Sequence, residues 1–118
     1  MKHKAAMTPN DLEQHFVARA NAGDIEGLLA LYEPNAVVAN GTGQIAAGHE
    51  EIRAFLSEFL AARPRLPLSD QAPAIHCGDL ALTSSRLENG DFTAEIARRQ
   101  PDGRWLWVVD QFALGGSE

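Results

Sequence analysis

The order of elements along the chain predicts an α+β domain in which N-terminal helices pack on a curved, mostly antiparallel sheet that encloses a cavity. Three observations carry this reading. Two short helical stretches come first, the first ending near Gly23-Asp24-Ile25 and the second near Leu31-Tyr32. A longer helix opens at Gly48-His49-Glu50-Glu51-Ile52, and everything after Pro64 reads as strand and hairpin. Helices followed by a run of strands place the helices on one side of the sheet. A sheet that curls around them leaves a space to be filled by side chains or by a ligand.

Each element has a local cause. Residues 1–7 carry no periodic pattern and read as a tail ahead of a single domain over 8–113. Thr8-Pro9-Asn10-Asp11 starts a helix: Thr8 can cap, Pro9 suits the first turn, and Asp11 favours the positive end. Leu12, Phe16 and Ala20 then share one face. Gly23 ends this helix and Asp24 caps the next, whose apolar face is Ile25, Leu28 and Leu29, with Pro34 as its stop. Ala36–Ala39 suits a short strand, Asn40-Gly41-Thr42-Gly43 a turn, and Gln44–Ala47 a strand pairing back. From about His49 to Ala62, Ile52, Phe55, Leu56, Phe59 and Leu60 follow the spacing of one buried helix face. Pro64, Pro67 and Pro73 make the following segment an irregular approach to the sheet. Three strands end the chain, Leu80–Leu87, Phe92–Arg99 and Trp105–Phe112. Glu88-Asn89-Gly90-Asp91 and Gln100-Pro101-Asp102-Gly103 turn between them.

Composition narrows the function classes. The 118 residues suffice for one core without staples, and 45% hydrophobic with 22% charged residues is ordinary globular composition. A formal net charge of -6 supplies no basic footprint for nucleic acid or an anionic membrane surface. The one cysteine, Cys77, excludes an internal disulfide and suits a reducing compartment, and Met1-Lys2-His3-Lys4 lacks the apolar core of a secretory signal. A cytoplasmic location is the expectation. No His/Cys/Asp/Glu cluster has metal-ligand spacing, and Gly41-Thr42-Gly43 lacks the lysine and the strand-to-helix setting of a phosphate loop.

Several strings resemble the NTF2-like superfamily, and within it the SnoaL-like and ketosteroid-isomerase-like small proteins. They are Asn21-Ala22-Gly23-Asp24, Leu28-Leu29-Ala30-Leu31-Tyr32, Gly48-His49-Glu50-Glu51-Ile52-Arg53-Ala54-Phe55, Gly78-Asp79-Leu80-Ala81-Leu82, and Asp102-Gly103-Arg104-Trp105 with Val108-Val109-Asp110. The resemblance implies a cone-shaped α+β fold, frequent dimers, and a range from isomerases, cyclases, dehydratases and hydrolases to pure assembly domains. It also implies where ketosteroid-isomerase chemistry would sit. The position of that group's acidic base falls on Asn40, and that of its oxyanion-holding tyrosine on Phe16. Only an acid on the penultimate strand, Glu95, is retained in kind. Steroid isomerisation by that mechanism is therefore not expected. The SnoaL-like arrangement instead puts an acidic base on the last strand, where Asp110 stands.

Strand alternation gives Asp110 independent support. Even positions of Trp105–Phe112 share one face, so Leu106, Val108, Asp110 and Phe112 are expected on the cavity side, with Trp105 and Trp107 outside. Pairing residues whose numbers sum to about 203 sets Glu95 opposite Val108 and diagonal to Asp110, roughly 7–8 Å away. Two carboxyls in an apolar cavity shift one another's proton affinity, which sorts an acid from a base. The alternatives are structural: Asp110 bonded to a tyrosine, an arginine or a backbone amide, and Glu95 paired with Arg86, Arg98 or Arg99. Phe16, Tyr32, Asn40, Phe55, Phe59, His76, Val108 and Phe112 are candidate ligand-binding positions.

Two functions of different class follow. One is a cofactor-independent enzyme acting on a small apolar molecule, with Asp110 as base and Glu95 or Tyr32 as acid or donor. The other is a non-catalytic module whose cavity is sealed by Phe16, Phe55, Phe59 and Phe112. In either case Trp105 and Trp107, with Phe92, Ala94 and Ile96, are expected to form an outward apolar band that meets a second copy of the chain.

Overall fold

The computed structural model describes residues 4–62 and 65–114, and for residues 113–114 the backbone only. Pro64 and the first three residues of the expected tail lie outside the described residues. The elements are α1 (Asp11–Asn21), α2 (Ile25–Leu29), β1 (Tyr32–Ala39), β2 (Ile45–Ala47), α3 (Gly48–Ala61), β3 (Asp70–Gln71), β4 (Ile75–Cys77), β5 (Leu80–Arg86), β6 (Phe92–Arg99) and β7 (Trp105–Leu114). The strands form one sheet in the order β2-β1-β7-β6-β5-β3, with β4 also pairing β5. All pairings are antiparallel except β1 with β7. The architecture is the α+β one expected, with α3 packed on β1 and β2, and α1 on β7.

Local chemistry sets the boundaries. Gly23 stands at φ +71°, a conformation that costs a side chain strain, and closes α1. The Asp24 carboxylate then accepts from the Gly27 N–H at 2.9 Å and caps α2. At the start of α3, Glu51 accepts the Ala47 N–H at 2.9 Å. The Asn40 side chain accepts from the Thr42 and Gln44 N–H groups at 2.9 and 3.0 Å, closing the β1–β2 turn.

Several expectations are corrected. Pro34 does not stop a helix: α2 ends at Leu29, and Pro34 lies inside β1. The missing N–H is tolerated because the β1–β7 register shifts between Tyr32 and Val37, leaving Pro34 and Asn35 exposed and outside the ladder. The segment before α1 is not loose over its described part. Ala6 is buried, its carbonyl accepts the Trp105 N–H at 2.8 Å, and the Arg19 guanidinium donates to the Lys4 carbonyl at 2.6 Å.

The largest correction concerns β7. Ala97 pairs with Trp107 and Ile96 with Val109, so Val108 is an extra residue, a β-bulge. A bulge resets the alternation, and the outcome is that both tryptophans face inward. Trp105 is 5% and Trp107 1% exposed, while Val109 points outward at 39%. The expected outward tryptophan band does not exist. Beyond the bulge Asp110 faces inward as expected, and Glu95 lies directly opposite it rather than diagonally.

The core gathers Leu12, Phe16, Leu28, Tyr32, Val38, Ile52, Leu56 and Trp107 between the helices and the concave face of the sheet. Among the described residues no helix is long and apolar enough to cross a membrane.

Candidate functional site

Between α1, the residues after α3 and the strands β5–β7 lies a cavity of about 710 Å³. Phe16, Val17, Phe59, Leu66, Trp107 and Phe112 supply its apolar wall. The rings interlock: Phe16 stands 5.8 Å from both Trp107 and Phe112 and 6.2 Å from Phe59, centroid to centroid. Such edge and tilted contacts hold the wall in shape. The segment at Leu66–Asp70 also lines the cavity. It is tied to α1 by a reciprocal pair of bonds, the Asn21 amide to the Leu66 carbonyl and the Leu66 N–H to the Asn21 oxygen, both at 2.9 Å.

The polar end of the cavity holds three carboxyl groups. Asp110 on β7 is 2% exposed and accepts the Tyr32 hydroxyl on Oδ2 at 2.6 Å. The reset of β7 by its bulge brings this pair together, because Tyr32 opens β1 and β1 runs parallel to β7. Opposite Asp110, Glu95 is 3% exposed and accepts the Thr83 hydroxyl at 2.7 Å. Thr83, Glu95 and Asp110 are register partners on adjacent strands, so their side chains share one face. Glu13 enters from α1 and accepts the Ser69 hydroxyl at 3.1 Å.

Their ionisation is governed by burial. Loss of water pushes Asp110 well above the usual carboxylate range, the negative charges of Glu95 and Glu13 push the same way, and the Tyr32 hydroxyl pulls it back. Burial raises Glu95 too, against the Thr93 and Thr83 hydroxyls. Glu13 rises from 4.5 to about 7, first through burial, then through the charge of Glu95, with the Ser69 bond opposing. Tyr32 is held well above 10.0, through burial and then Asp110. No described group of His, Cys, Asp and Glu could hold a metal ion.

The site unites some sequence-predicted positions and separates others. Asp110, Glu95, Phe16, Phe59 and Phe112 line the cavity. Tyr32 stands behind Asp110 as its hydrogen-bond donor, and Phe55 backs Phe112 at 5.3 Å. Val108, the bulge residue, is not on the wall. Asn40 spends its side chain on its own turn, and His76 is exposed on β4, edge-on to Trp105 at 5.6 Å. Arg98 and Arg99 pair with Glu33 and Asp79, not with Glu95.

Glu13 and Thr83 are not singled out from the sequence, and Trp107 is assigned there to the outer face. For Glu13 the signal was present: Phe16, Val17 and Ala20, three, four and seven residues on, are buried, so Glu13 belongs to the inward face of α1. An acid on an apolar helix face is the pattern to look for. Trp107 was hidden by the bulge, which alternation alone does not reveal.

Comparison with known proteins agrees with this architecture. The family model described as SnoaL-like domain matches residues 14–114. Among solved structures, an NTF2-like protein with a cystatin-like fold from Novosphingobium aromaticivorans is 23% identical, with a TM-score of 0.67 over 91% of this chain and 80% of that one. A SnoaL-like protein of unknown function from Burkholderia thailandensis is 18% identical, with a TM-score of 0.63 over 91% and 94%. A protein of unknown function with a cystatin-like fold from Nostoc punctiforme is 22% identical, with a TM-score of 0.71 over 92% and 89%. Likeness at this identity shows the fold alone. A search among curated proteins finds no match.

Proposed function

Starting from a chain that belongs to the SnoaL-like domain family, we propose that its cavity receives a small, largely apolar molecule, and that Asp110 and Glu95 move a proton on it without a cofactor. The observation that carries this reading is the pair itself. Two carboxyls face each other in register on the wall of an open cavity of about 710 Å³, and no arginine or lysine neutralises them among the described residues. Like groups so placed do not both ionise readily; one keeps its proton and the other gives it up. That division supplies a base and an acid from one site.

In the reaction class favoured here, the ionised carboxylate removes a proton next to a carbonyl, and the proton returns at another carbon or assists the loss of water. Isomerase, cyclase and dehydratase chemistry can use this step, and a hydrolase would use the same carboxylate to deprotonate an attacking water. Tyr32 serves as a positioning residue, since its hydroxyl holds Asp110 from behind. The second reading, a module sealed by its own phenylalanines, is disfavoured because Phe16, Phe59 and Phe112 form the wall of the cavity instead of filling it.

The test is proton exchange on a probe. In heavy water, 2-tetralone should take up deuterium next to its carbonyl faster with the protein than with buffer, as read by proton NMR. Asp110→Asn keeps the shape and an acceptor for Tyr32, and should reduce the rate by about 10²–10⁴-fold. An unchanged rate in that variant removes Asp110 from the chemistry.

A second copy of the chain remains the proposed partner, now through different residues. Ile75, Leu82, Ile96 and Val109 are consecutive register partners across β4, β5, β6 and β7, and each is more than a third exposed. Cross-strand partners point the same way, so they form one apolar row on the convex face. With Cys77 as its single and exposed thiol, we read the protein as cytoplasmic.

A further inference from the structure

The cavity carries more acid than the proposed reaction uses. Glu13, on α1, lines the same cavity as Glu95 and Asp110 on the sheet, and its charge bears on Asp110 as that of Glu95 bears on Glu13. Asp70 and Glu88 add two more acids to the lining, and Tyr32 stands behind Asp110. Against these, Arg86 is the one basic residue on the described wall, and it is exposed, its guanidinium set over the Phe92 ring at 5.2 Å. The polar end therefore has no internal cation among the described residues.

Two further observations point to what would complete it. Asp110, 2% exposed, spends Oδ2 on Tyr32, while its other oxygen has no hydrogen-bond partner among the described residues. The rings of Phe16, Phe59, Trp107 and Phe112 form the adjoining wall, and aromatic faces attract a desolvated cation. An anionic ligand would meet like charge there. A neutral one would leave the crowded carboxyls unrelieved. A positive nitrogen on a hydrocarbon body meets both demands at once.

Resting on the reading that this cavity is a ligand site, we propose that the molecule it takes is a lipophilic amine, its ammonium nitrogen held between Glu13 on α1 and the Glu95–Asp110 pair on the sheet. Glu13 becomes a ligand-contacting residue. A bound cation favours the ionised form of Glu13 and of one carboxyl of the Glu95–Asp110 pair, so binding expels protons while the other carboxyl keeps its own. Affinity then rises with pH through the range near 7 where the empty site still holds them.

The experiment is titration calorimetry on the full chain with three probes of one shape, 1-naphthylmethylamine, 1-naphthalenemethanol and 1-naphthoate, at pH 6 and pH 8. Repeating it at about pH 7.5 in phosphate and in Tris separates the heat of released protons. The amine should bind about tenfold or more tighter than the alcohol, with proton release and with higher affinity at pH 8. Naphthoate should bind weakest. Glu13→Gln should lower the affinity for the amine about tenfold and leave the alcohol unchanged. The proposal is overturned if the alcohol binds as tightly as the amine, or if no protons are released. Equal weakening of both probes by the variant removes Glu13 from it. Should the alcohol match the amine, only the ligand class falls and the proton-transfer reading survives; should no probe bind, both fall.

Discussion

Glu13 allows the site's electrostatics to be tested without any ligand. In the unfolded chain its carboxyl titrates near 4.5, and in the folded protein near 7. Between those two values the native state holds a proton that the unfolded state has released. Stability therefore falls as pH rises, at about 1.36 kcal/mol per pH unit for one proton. Summed over that interval, Glu13 costs the folded protein about 3 kcal/mol at pH 8 relative to pH 4.5. Glu95 and Asp110 are raised as well and add to the loss with the same sign. Glu13→Gln removes the titration while leaving an oxygen for the Ser69 hydroxyl. Urea unfolding followed by circular dichroism at pH 5, 6, 7 and 8 gives the comparison. The parent should lose stability steadily across this range, and the variant should lose roughly 2–3 kcal/mol less between pH 5 and pH 8. Parallel curves for the two proteins would mean that Glu13 is solvated in the folded state, and the acidic end of the cavity would have to be redrawn.

Other outcomes follow from the same geometry. Tyr32→Phe leaves the buried Asp110 without its hydroxyl donor, and should cost about 1–3 kcal/mol in the same unfolding assay. Because that hydroxyl favours the ionised carboxylate, the variant should also shift any pH–rate profile of the Asp110 step upward. On the convex face, sedimentation at micromolar concentration should report near twice the chain mass of 12.8 kDa. Ile96→Lys with Val109→Lys should return it to the monomer, and an unaltered sedimentation coefficient would clear that face of a role. Both tryptophans should emit as buried indoles in monomer and dimer alike, since neither reaches the surface.

The fold was legible because local signals agreed. Asp24 capping α2, the apolar face of α3 from Ile52 to Leu60, and the Gly90 and Gly103 turns each have one physical reading. Pro34 misled because a proline ends a helix and also tolerates a strand that has slipped from its ladder, and only the neighbouring β7 decides between the two. The site was half legible. Alternation together with family resemblance puts Asp110 and Glu95 on the cavity side, where the structure has them. Asn40, His76 and Val108 were misplaced because turn closure, an edge strand and a bulge are tertiary facts.

The bulge at Val108 has the widest consequence. Uninterrupted alternation could bury the tryptophans or Asp110, but not both, since 105 and 107 are odd and 110 is even. One extra residue lets Trp105 and Trp107 be buried while Asp110 and Phe112 join Trp107 in lining the cavity. It also slides Glu95 from a diagonal position to a direct one, and a closer pair of carboxyls repels more strongly. The coupling of the two buried carboxyls thus depends on a single backbone irregularity two residues before Asp110. Bulges recur beside active sites for this reason: they re-aim a side chain without moving the sheet that carries it.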